Sequence, residues 1–68
     1  MSPADLQLLK ANVDKVVELI FNDGTRELAC VISVFDQESD PDVFYDRVPK
    51  VDAGYSVQLS EIASVRIP

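Results

Sequence analysis

Two neighbouring apolar segments, greasy on both sides and hinged by a tight turn, constrain this chain more than any other feature. Lys15–Phe21 (KVVELIF) and Arg26–Phe35 (RELACVISVF) are rich in β-branched and aromatic residues, the composition of strands. Between them stands Asn22-Asp23-Gly24-Thr25, whose residue types tolerate the positive φ of a hairpin turn. In the first segment Val17, Leu19 and Phe21 fall on one side, Val16 and Ile20 on the other. A free-standing antiparallel sheet keeps one face polar and wet. Here both faces call for cover, which a curled sheet with a helix against it supplies, or a neighbouring subunit.

The rest of the chain fits such a sheet. Ser2 is a good helix N-cap, Pro3 suits the first helical position, and Asp5 completes an S-x-x-D capping pattern. Leu6, Leu9 and Val13 then share a face, with Leu8 beside them, so a helix is predicted over about residues 2–12, closing one end of the core. Beyond the hairpin, Asp36–Asp42 reads as a polar loop and Val43–Val48 as a third strand. Pro49–Gly54 is a second loop and Tyr55–Leu59 a fourth strand with one exposed face. Ser60–Ser64 is predicted as a helical turn and Val65–Ile67 as a short last strand. The expected fold is mainly β: one domain over 1–68, a helix followed by a five-stranded antiparallel barrel of the SH3/Sm-like kind.

Size and composition narrow the function. A chain of 68 residues buries only about 60% of its unfolded surface, so its core needs a supplement. Cys30 is the single cysteine and histidine is absent, which removes internal disulfides, Cys/His metal sites and the commonest general base. Self-association is the remaining supplement, through edge strands; Tyr55, Val57, Leu59, Val65 and Ile67 are the candidate interface residues. Twelve acidic against six basic residues give a net charge of −6, which disfavours phosphate backbones and anionic membrane surfaces. No basic stretch followed by an apolar one opens the chain, so a cytoplasmic location is expected, where a free thiol is stable.

Three features of the sequence bear on chemistry. Asp36, Glu38, Asp40 and Asp42 alternate as calcium-loop ligands do, but the sixth position is Pro41 and the twelfth Arg47, where that loop needs glycine and a bidentate glutamate. They are weak metal candidates, and a regulatory domain with a metal- or ligand-binding loop is an alternative; no cofactor is implied. Cys30 lies mid-strand among apolar neighbours, where a small buried thiol is the rule. Phe44, Tyr45 and Tyr55 suit either a stacking platform or, more commonly, core packing. Nothing among these makes an enzyme.

A helix, then five strands with the longest first, resembles the Sm and Sm-like (LSm/Hfq-type) family of small barrels. The likeness rests on Asn22-Asp23-Gly24 after the first strand, on Val34-Phe35-Asp36-Gln37 at the end of the second, and on the Val57–Ile67 segment. It implies a barrel that assembles through its edges, with RNA binding as an alternative function. The family's RNA pocket is not matched: the stacking position falls on Glu38, the base-reading asparagine on Asp40, and the basic motif on Leu59-Ser60-Glu61. The glycine that bends the family's second strand falls on Cys30, and Gly24 to Phe35 is one residue longer than the family pattern.

Overall fold

The computed structural model describes residues 1–49 and 54–68. One helix, α1 (Pro3–Ala11), precedes five strands: β1 (Val16–Phe21), β2 (Arg26–Phe35), β3 (Asp42–Arg47), β4 (Tyr55–Gln58) and β5 (Ile62–Arg66). A 3₁₀ turn (Leu59–Glu61) joins the last two. The strands form one antiparallel sheet in the order β4-β3-β2-β1-β5.

The local chemistry of the helix start holds as its residues dictate. The Ser2 hydroxyl accepts from the Asp5 N–H, and the Asp5 carboxylate reaches back to the Ser2 N–H, forming a complete capping box. The helix ends at Ala11, with Asn12 as C-cap. Val13 is therefore outside it and exposed; Leu9 is the buried anchor, with Leu6 and Leu8 packed at the core margin. Asp14 takes a positive φ of 68° and donates to the Val31 carbonyl at 2.7 Å, which turns the chain from helix into β1.

The β1–β2 turn also follows its residue types. Gly24 sits at φ 88°, a region that costs glycine nothing, and Asp23 Oδ1 accepts from both the N–H and the hydroxyl of Thr25. β2 then does double duty. Its first half pairs with β1 from Arg26 to Cys30, and Ala29 to Phe35 pair with β3. The β2–β3 register slips by one residue between Val31 and Ser33, so Ile32 is a bulge, and bulges bend a strand and sharpen its twist.

One face of the curled sheet holds the core: Val17, Leu19, Ala29, Val31, Val43, Tyr45, Ile62 and Val65, closed by Leu9 of α1 and by Leu59. The opposite face carries the second set of apolar side chains. Val16, Leu28, Phe44 and Val48 are exposed there, and Cys30 is half-buried between Val16 and Asp46 in the register. The expected buried thiol is thus corrected, because residue parity puts Cys30 on the face that α1 does not cover.

Two boundaries also differ from expectation. The turn after β4 is three residues, and β5 starts at Ile62, three residues early. The reason is Ile62 itself: it is fully buried and pairs with Phe21, so core packing takes it into the sheet. Most of the expected Pro49–Gly54 loop (residues 50–53) lies outside the described residues. The sheet is open in its hydrogen bonding, since β4 and β5 are its two ends and no ladder joins them among the described residues. A cleft of about 260 Å³ lined by Phe21, Asn22, Asp23, Val57 and Glu61 lies between the first hairpin and β4. No helix among the described residues is long and apolar enough to cross a membrane.

Candidate functional site

The sheet brings together one polar cluster on its core face, at the end where β2, β3 and β4 run together. Glu27 has the same parity as Ala29 and Val31, so its carboxylate points inward; its Oε1 is enclosed and meets Arg47 Nε as an ion pair. Tyr45 Oη donates to Glu27 Oε2 at 3.2 Å. The Arg47 guanidinium in turn lies 4.4 Å from the centroid of the Tyr55 ring, within cation–π range, and the Tyr45 and Tyr55 rings stack with centroids 6.0 Å apart.

Glu27, Tyr45 and Arg47 engage one another. The carboxylate is neutralised by Arg47, and the buried phenol has its acceptor. Burial, then the Glu27 charge beside it, pushes the Tyr45 phenol up to about 12. The cluster ties β2, β3 and β4 together through an ion pair, a hydrogen bond and ring contacts. Sequence reasoning missed Glu27 and Arg47. The available signal was parity, because a charged residue in phase with Ala29 and Val31 on a core-facing strand calls for an ionic partner.

The acidic loop is dispersed. Asp36 is ion-paired with Lys10 of α1, which holds its carboxyl below the usual carboxylate range through the Lys10 hydrogen bond. Glu38, Asp40 and Asp42 line a shallow depression with Phe35 and Ser39, and among the described residues no group of three or more His, Cys, Asp or Glu side chains is arranged to hold a metal ion. The three aromatics divide by parity: Tyr45 is in the core, Tyr55 half-buried beside it, and Phe44 is 38% exposed on the other face.

The five candidate interface residues fall on or beside the two edges. Tyr55 and Val57 sit on β4 with half-buried side chains turned to the core. Leu59 is a buried residue of the 3₁₀ turn, Val65 a buried residue of β5, and Ile67, 57% exposed, follows β5. Leu59 and Val65 therefore offer no side chain to a partner. What an edge offers is its backbone.

The two edges differ. On β5 the Val65 N–H donates at 3.0 Å to Asp5 Oδ1 of α1, so that edge is clamped by the helix. This bond, followed by those from Ser2, holds the Asp5 carboxyl below its ordinary value. The β1–β5 register shifts beside Ile62, leaving Ala63 as a bulge, and Arg66 adds a charge. β4 pairs with β3 without a slip from Tyr55 to Gln58 and carries no charged residue.

No family model matches the chain, and neither a curated protein nor a solved structure does.

Proposed function

We propose that the chain is a non-catalytic, Sm-like interaction module that self-associates through the edges of its sheet. The carrying observation is that, among the described residues, the outer side of β4 has no strand paired to it, while the second apolar face of the sheet is left bare by α1. A small core gains from burying such surface against another copy, since apolar area removed from water contributes roughly 25 cal/mol per Å². The polar cluster of Glu27, Tyr45 and Arg47 supports a structural role for the groups that could otherwise do chemistry, as each is engaged by its neighbours.

Two features support the Sm-like barrel reading. A helix precedes five strands of which β2 is the longest. The one-residue excess between Gly24 and Phe35 is matched by the one-residue bulge at Ile32, two residues beyond Cys30, the position that the resemblance gives to the family's strand-bending glycine. Sedimentation equilibrium or native mass spectrometry tests the function. An oligomer is expected at micromolar concentration, and a chain that stays at 7.5 kDa would refute it.

A further inference from the structure

Self-association through a sheet edge has two geometries. Unlike edges joined head to tail build rings or filaments, whereas like edges joined about a twofold axis close as a dimer. The two edges here are not equivalent, and their differences select between the geometries.

β5 carries three of the devices by which natural sheets keep an edge from pairing: a bulge, a charge and cover by a helix. Ala63 is the bulged residue, Arg66 the charge, and Asp5 of α1 occupies the outward N–H of Val65. β4 carries none of them. Its sequence Tyr-Ser-Val-Gln has no charge and no proline, its ladder with β3 is regular, and among the described residues nothing pairs with its outer side. On a chain of net charge −6, β4 itself adds no charge to a contact between copies, and Asp42, opposite Gln58, is the acidic residue that its ladder with β3 places beside it.

The surroundings of β4 fit a second copy. A standard interface covers about 800 Å² per partner, near a fifth of the 4221 Å² surface of this chain, so four residues of strand edge need flanking side chains. The flank is aromatic. Phe44 and Phe35, 38% and 45% exposed, share the bare face with Ser56 and Gln58. The Phe44 ring leans across the start of β4, so close to Gly54 that a Cβ there would lie 2.3 Å from its Cζ.

We infer, building on the self-association proposed above, that two copies pair β4 to β4 antiparallel about a twofold axis, giving one continuous ten-stranded sheet with Phe44 of each copy flanking the seam. Residues directly opposite in an antiparallel pair project from the same face. The twofold is therefore centred on a residue, and a pairing that keeps three of the four β4 residues opposite one another is centred on Ser56 or on Val57; either choice sets Ser56 against Ser56 or Gln58 of the partner copy. Two charges of one sign at Ser56 and Gln58 would then confront their own copies.

The test uses the full chain in four forms: unaltered, Ser56→Glu with Gln58→Glu, Ser56→Lys with Gln58→Lys, and Ala63→Glu on β5. Native mass spectrometry and sedimentation should give a dimer for the unaltered chain and for Ala63→Glu. Each double variant alone should be monomeric, and mixing the two should restore a one-to-one heterodimer. Circular dichroism checks that each variant is folded. Amide exchange of the unaltered chain supplies an independent readout: β4 amides should slow as concentration rises while β5 amides do not. Rings larger than two, or an oligomer broken by Ala63→Glu but not by the β4 variants, would overturn the β4 pairing and leave self-association standing. A monomer throughout would overturn both.

Discussion

Replacing Asp5 with alanine tests whether one carboxylate ties the helix to the sheet. Its Oδ2 accepts from the N–H and hydroxyl of Ser2 at 2.9 and 2.8 Å, and its Oδ1 accepts from the Val65 N–H at 3.0 Å. The Ser2 bonds are solvent-exposed, so losing that half of the capping box costs about 0.5 kcal/mol, the low end of capping effects. The bond to Val65 is part-buried and charge-assisted; orphaning that amide costs about 1 kcal/mol. Together Asp5→Ala should lose about 1.5 kcal/mol, out of roughly 3–10 kcal/mol for a domain of this size. Urea denaturation followed by circular dichroism measures the loss, and amide exchange should find the Val65 N–H selectively faster.

The pH dependence gives the same carboxylate a second signature. Its folded pKa is lowered, first by Val65 and then by Ser2. The stabilisation is therefore complete above the ordinary carboxylate pKa and is lost as acid protonates the folded form. Asp5→Ala should flatten the stability curve in that acid range. A variant within about 0.3 kcal/mol of the unaltered chain, with unchanged exchange at Val65, would refute the idea that Asp5 clamps β5.

Other perturbations separate core, turn and cluster. Leu19→Ala empties a fully buried site opposite Val65 and should cost about 3 kcal/mol, a large share of the total, measured by the urea midpoint. Gly54→Ala places a methyl group against the Phe44 ring; the half-exposed ring must swing away, and a loss of about 1 kcal/mol should lower Tm by about 4–8 °C. Tyrosinate absorbance should show one phenol ionising only near pH 12, a phase that Tyr45→Phe abolishes. Because that pKa is raised on folding, the stability tied to it is intact below about pH 10 and falls as the pH climbs toward the folded value.

Much of the secondary structure was legible in the residues. The S-x-x-D box, the Asn-Asp-Gly-Thr turn and the β-branched runs each act over a few neighbours, so α1, the first hairpin and all of β2 lie close to where their chemistry puts them. The pattern weakens where local propensity and burial disagree. Ile62 follows a turn-forming segment, and only its fully buried place beside Phe21 draws it into β5. The polar cluster was legible in principle from the parity of Glu27, but its partner Arg47 stands on another strand, and register alone brings the two together.

By itself, the sequence determined the element types, the acidic surface and the excess of apolar residues over what one face of a sheet can bury, because these follow from side-chain chemistry and short-range periodicity. Tertiary structure decided which strands are edges, which apolar set α1 covers, and that Asp5 seals β5 while, among the described residues, nothing pairs with the outer side of β4. Those outcomes depend on pairings between residues as far apart as Asp5 and Val65. No local rule can place such partners together until the sheet has curled.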